Sequence, residues 1–270
     1  MTSGPGDERR AGDGGVNGAT EDPAPDVHGR LARLERLVDE GRGVLGDVEA
    51  RAAPAWRVVT QGEPRLPVSL AVVFAVVFMV ALPSRVANQP RWVFPALAMV
   101  LLVGIVVANP TRIGRPSRAL RAASLTLIAV LSIANAVSAT RLILDLVNAR
   151  GIRDPATLLL TGAAIWLTNI VVFALWYWEF DRGGPAERAV ASKPYPDFLF
   201  PQMTSPELAP QDWEPGFVDY FYMSFTNATA FSPTDVMPLS RWAKLTMLTQ
   251  SAISLVTVVL VIARAVNILK

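Results

Sequence analysis

Hydrophobic positions along this chain fall into long blocks, and the blocks set the elements. Apolar runs cover residues 66–82, 92–108, 122–147, 156–178 and 245–269, each near the ~20 residues a helix needs to cross a bilayer. Prolines bound the first two, with Pro64 and Pro83 around one and Pro90 and Pro110 around the other. Trp176, Tyr177 and Trp178 end the fourth run as an interfacial aromatic belt. The pattern predicts an all-α integral membrane protein with about five transmembrane helices, in a domain spanning residues 66–270.

The N-terminal quarter reads differently. Residues 1–26 carry almost no bulky apolar side chains, so they cannot offset chain entropy and are expected to be disordered. Over residues 27–53, Val27, Leu31, Leu34, Val38, Leu45 and Val48 follow a 4-3-4 spacing opposite a charged face. That predicts an amphipathic helix, either surface-lying or a short coiled coil. Gly41, Gly43 and Gly46 weaken its second half, at roughly 1 kcal/mol each.

One stretch departs from the plain apolar pattern. Residues 216–240 are aromatic and semi-polar, with Ser224, Thr226, Asn227, Thr229, Ser232 and Thr234 close together. Such polar density at membrane depth is tolerated only where protein or water surrounds it. Pro233 breaks the helix, Asp235 returns the chain to the interface and Pro238 fixes the exit. The prediction is a re-entrant pore-type helix and turn before the last span. Its candidate pore-loop residues are Asn227, Thr229, Phe231, Ser232, Pro233, Thr234 and Asp235, whose carbonyls and hydroxyls suit coordination of a small ion.

Other polar groups read more simply. Arg141 and Asp145 lie one helical turn apart and are a candidate ion pair. Asn135 and Asn169 suit hydrogen bonding between helices. Gln250, Ser251 and Ser254 either face a pore or pack against the re-entrant helix, the second being favoured. Seven prolines forbid a long helix over residues 181–215, whereas PYPDFLFPQM is apolar enough to pack back on the bundle. The carboxylates of that loop (Glu187, Asp197, Glu207, Asp212 and Glu214) are expected to face water.

Composition narrows the chemistry. Of 270 residues, 51% are hydrophobic. There is no cysteine, and the single histidine, His28, lies outside the spans. Thiol nucleophiles, Cys-based metal sites and His-dependent triads are thereby disfavoured, and no cofactor or metal is expected. Arginine dominates the basic residues, with lysine only at Lys193, Lys244 and Lys270. The arginines flank membrane segments, so they imply no nucleic-acid partner. With abundant Ala and Val they suggest a GC-rich bacterial genome. The opening MTSGPGDERRAGDGG lacks the apolar core of a signal peptide.

The run MSFTNATAFSPTDVMPLSRWAKL resembles the pore signature of potassium channels. Ser224 matches the pore-helix serine, Ala228 and Thr229 the end of that helix, and Asp235 and Pro238 the positions after the filter. Trp242 and Lys244 match the start of the following helix. The five filter positions read Ala230-Phe231-Ser232-Pro233-Thr234, without the two glycines that aim successive carbonyls at one axis. Over residues 66–270 the chain is similar to an uncharacterised bacterial multipass membrane family with a channel-like C-terminal end. The resemblance implies a channel-shaped element with a degenerate selectivity filter.

With five spans, flanking basic residues number twelve on the side of the N-terminus and six on the other. The positive-inside rule then predicts a cytoplasmic N-terminus in a bacterial plasma membrane, with the re-entrant segment on the cytoplasmic side. Two functions stay open: a channel-like, homo-oligomeric protein that passes small ions without potassium-type selectivity, or a non-conducting scaffold or sensor that binds a partner through residues 27–53. An intramembrane enzyme is disfavoured, because Asp145, Glu179 and Asp235 are not brought together by the sequence.

Overall fold

A computed structural model describes residues 35, 36, 38, 55–87, 90–114, 116–148, 152–229 and 235–269. The chain divides into two units, Met1–Ala52 and Ala53–Lys270. In the first, Glu35, Arg36 and Val38 are helical and exposed; the disorder expected for 1–26 and most of the helix expected for 27–53 lie outside the described residues.

The second unit is a helical bundle. Its helices are α1 (Leu66–Ala81), α2 (Val93–Ala108), α3 (Arg118–Val147), α4 (Pro155–Phe180), short α5 (Pro185–Ala189) and α6 (Pro201–Thr204), α7 (Phe217–Thr229) and α8 (Arg241–Leu269). Three of them, α3, α4 and α8, are long and apolar enough to cross a membrane. The 16-residue helices α1 and α2 are shorter, about 24 Å each. Among the described residues, strands are confined to two antiparallel pairs: β1 (Glu63–Pro64) with β2 (Arg112–Ile113), and β3 (Phe198–Leu199) with β4 (Met237–Pro238).

Local chemistry explains the boundaries. Ser117 caps α3, its hydroxyl accepting from the Leu120 amide. The helix therefore starts at Arg118, four residues ahead of the apolar run, with Arg118 and Arg121 in its first turn. Asp154 caps α4 through the Thr157 amide at 2.7 Å, with Pro155 in the first turn. At α7 the Asp219 carboxylate reaches back to the Gly216 amide at 2.8 Å, one half of a capping box.

Helix α4 is the centre of the bundle, packed by α1, α3, α7 and α8. Its face is buried almost throughout, with Ile170, Ala174 and Tyr177 fully enclosed. The outer faces of the other helices are apolar and exposed, for example Leu70, Val73 and Val77 on α1, and Leu248, Leu255 and Ile262 on α8. A soluble protein does not leave such faces bare, whereas lipid accepts them. The length of these three helices and the apolar outer surface together fit a membrane protein.

The segment after α4 folds back on the bundle. Phe198, Phe200 and Met203 are buried in the main core, with Tyr177 and Tyr220 stacked edge-on to Phe198. At the opposite end a smaller core joins Val86, Leu142, Leu158 and Ile165 to Val261 and Ala265 of α8.

Candidate functional site

Helix α7 lies in the groove between α4 and α8, and its contacts can be followed along α4. Its first turn bonds the end of that helix, with the Tyr220 hydroxyl donating to Asp181 Oδ2 at 2.5 Å. One turn later, the Ser224 hydroxyl donates to the Ile170 carbonyl at 2.7 Å. Phe225 then meets Trp166 edge-on at 5.9 Å. These partners step back from the end of α4 to Trp166. After α7, β4 pairs with β3 beside Asp197.

The polar face of α7 is closed within the protein. Gln250 of α8 is completely buried and uses all its valences. Its Nε2 donates to the Ser224 hydroxyl at 2.7 Å and to the Ser224 carbonyl at 2.9 Å. Its Oε1 accepts from the Tyr177 hydroxyl at 2.6 Å and from Asn227 Nδ2 at 2.8 Å. Asn227 also donates to the Met247 carbonyl at 3.0 Å, and Ser251 donates to Asn227 Oδ1 at 3.1 Å. Asn169 reaches Ser254 at 3.2 Å. Gln250, Ser251 and Ser254 thus pack against neighbouring helices.

The remaining candidate positions separate. Thr229 is half-buried and donates to the Thr226 carbonyl at 2.8 Å. Beside it an apolar cavity of about 730 Å³ opens between α4 and α8, lined by Gly162, Trp166, Ser254 and Thr257. Asp235 is exposed. Phe231, Ser232, Pro233 and Thr234 lie outside the described residues. Arg141 donates to the Ala87 carbonyl, which ties α3 to the turn between α1 and α2. The ion pair between Arg188 and Glu63 lies elsewhere, at the end of α4.

That ion pair belongs to a buried polar cluster at the end of α4. Arg188 Nη2 meets Glu63 Oε1 at 2.6 Å, and both residues are enclosed. Glu63 Oε2 accepts from Trp178 Nε1 at 2.7 Å. Arg188 Nη1 donates to the carbonyls of Trp178 and Asp181 at 2.6 and 3.0 Å. Burial disfavours the Arg188 charge, but Tyr220, Glu63 and Asp181 around it raise its pKa above the ordinary value. Asp181 Oδ1 accepts from the Asp197 amide at 2.7 Å, while Asp197 Oδ2 accepts from the Arg182 amide at 3.0 Å. Trp242 at the start of α8 donates to Asp197 Oδ1 at 2.8 Å. Arg182 Nη1 reaches the Trp56 carbonyl at 2.5 Å. One cluster therefore holds the starts of α1, α7 and α8 against the end of α4.

The backbone allows this by an abrupt turn. Arg182, Gly183 and Gly184 all have positive φ, at 51°, 91° and 102°. Gly184 sits at ψ 172°, a region open only to glycine. The turn brings α5 back so that Arg188 faces Glu63.

The expectation that the loop carboxylates face water needs correction. Glu207 and Asp212 are exposed, but Asp197 is half-buried and makes four of the bonds that order the cluster. Arg182 and Arg188, in the same loop, are also buried. The only hint was the string WEFDRGGPAER, where charges follow an aromatic belt beside paired glycines. Among the described residues no group of His, Cys, Asp and Glu is placed to hold a metal.

Comparisons with protein-family models, curated proteins and solved structures give no match to this chain.

Proposed function

We propose that the protein is a channel-like multipass membrane protein, with α7 and the turn after it as a re-entrant segment. In this reading α1, α2, α3, α4 and α8 are five spans, the two short ones accommodated by local bilayer thinning. The observation that supports it is the tethering of both ends of the segment to one cluster. Tyr220 bonds Asp181, and the Leu239 amide donates to the Asp197 carbonyl at 2.8 Å. Between those points α7 advances along α4 as far as Trp166. A helix that enters and a chain that returns at the same end is the arrangement of a pore loop.

Such a loop lines a central pore only when repeated around an axis, so the conducting form is a homo-oligomer. Phe231 to Thr234 would line it, with Thr229 and Asp235 at its two ends. Without filter glycines the pore passes small ions with no potassium-type selectivity. The basic-residue bias gives a cytoplasmic N-terminus in a bacterial plasma membrane.

The test is ion flux in liposomes carrying the purified protein. Passage of small cations or anions, altered by Thr229→Val or Asp235→Asn, is the expected result. Silence toward every ion tried sinks the channel reading. A second reading, a non-conducting scaffold or sensor, is favoured by the closed Ser224–Asn227–Gln250–Ser251 network. It predicts no flux and loss of a bound partner when residues 27–53 are deleted.

A further inference from the structure

A second cavity, of about 350 Å³, lies at the start of α3, away from the α7 network. Its walls are the first turns of α3, the end of α4 and the Gly183–Gly184 turn. Arg65 lines it and is only 6% exposed, and its Nε is buried without a hydrogen-bond partner among the described residues. A buried guanidinium N–H left unpaired is costly, and the Arg65 charge is offset only by Glu179 beside it. Arg118 and Arg121 line the same cavity from the exposed face of α3. The amino end of a 30-residue helix adds amide donors and positive potential there.

Two carboxylates also line the cavity. Glu179 is 3% exposed and interacts with Arg188, Arg121 and Arg65, while Glu187 is half-buried. The three lining arginines exceed these two acids, and the Lys193 ammonium comes within 3.6 Å of where a Gly183 Cβ would stand.

We infer that this cavity binds a phosphate group, held by Arg65 at its floor and by Arg118 and Arg121 at its rim. Arginine forks match phosphate oxygens in pairs, and helix amides complete the shell. The site goes beyond the proposed pore and does not depend on conduction. It lies where the apolar run of α3 begins, so the phosphate comes from an anionic lipid headgroup or from solution.

The experiment uses the full chain in two settings. In detergent, inorganic phosphate is titrated at constant ionic strength against chloride, and thermal stability is read. In nanodiscs, phosphatidylcholine alone is compared with phosphatidylcholine plus phosphatidylglycerol. Stabilisation by inorganic phosphate assigns a soluble ligand, and stabilisation by phosphatidylglycerol alone assigns a lipid headgroup; either supports the site. The exposed pair change Arg118→Ala with Arg121→Ala leaves the fold intact and weakens binding about tenfold or more. Glu179→Gln removes repulsion and tightens binding. Phosphate no better than chloride together with phosphatidylglycerol no better than phosphatidylcholine overturns the inference, as does unchanged affinity in the double variant.

Discussion

Glu63 and Arg188 stand 125 positions apart and meet at 2.6 Å in a buried ion pair. The pair joins the strand before α1 to the short helix after α4. Charges buried this deeply do little for stability as a pair, but removing one leaves the other stranded. Glu63→Leu or Arg188→Met is expected to cost about 3–5 kcal/mol. The double change Glu63→Leu with Arg188→Met should recover much of that loss. Thermal unfolding of the four proteins in one detergent provides the cycle, and strictly additive losses would contradict the pairing.

Gln250 seals the polar face of α7. Replacing it with leucine strips partners from the Tyr177 hydroxyl, Asn227 and Ser224 at once. We expect a loss of about 3 kcal/mol, with looser docking of α7 on α8. Hydrogen exchange over residues 217–229 is the sensitive readout. Faster exchange there, with little change in α3, is the expected pattern.

The long helices were legible because apolar runs of that length need no tertiary information. Helix α4 begins and ends within two residues of the run that announced it. The starts of α3 and α8 were not legible: each begins four residues early, in polar sequence, and at α3 the Ser117 cap sets the start. Gln250 was legible as a helix-packing residue because an amide in an apolar span needs partners nearby. The cluster at Glu63, Asp181, Arg188 and Asp197 was not. Its members come from three distant segments, and no periodicity links them. Arg182 and Arg188 are buried, and omitting both from the twelve flanking basic residues leaves the excess on the same side.

Gly184 offers a local test of the turn that makes the cluster possible. A Cβ at this position would stand 2.9 Å from the Glu179 carbonyl oxygen, and φ 102° is itself hostile to a side chain. Gly184→Ala should destabilise the protein by about 1–3 kcal/mol. Alanine at Gly104, where a Cβ meets nothing within 4 Å, should be neutral or slightly stabilising. Comparing the two melting temperatures separates strain at the turn from a general glycine effect.

Glu214 gives a pH signature. Burial raises its pKa, opposed by a hydrogen bond from Thr60, while Glu63 raises it further. The folded protein then keeps this proton at a pH where the unfolded chain has lost it. Its contribution is fully present below the unfolded value of about 4.3 and is lost as pH rises through the folded value. The melting temperature of wild type minus that of Glu214→Gln should therefore fall as pH rises above about 4.3 and then level off. A difference that rises over the same range would mean that the carboxylate is stabilised in the fold.

The course of α7 is open to chemical labelling, because the chain has no cysteine of its own. Tyr195 is 83% exposed and precedes β3, whereas Asp235 is exposed just before β4. If the segment between Phe217 and Pro238 enters and leaves at one end, Tyr195→Cys and Asp235→Cys must react with a membrane-impermeant thiol reagent from the same side. Asp154, exposed at the start of α4, reports the opposite end of that helix. Asp154→Cys should therefore react from the other side if α4 spans the bilayer. Labelling in sealed vesicles of known orientation reads all three positions. Opposite sidedness for Tyr195→Cys and Asp235→Cys would make α7 a crossing segment and remove the basis for a pore loop. Shared sidedness for all three would deny that α4 spans. The expected outcome, two on one side and Asp154→Cys on the other, requires both a spanning α4 and a returning α7.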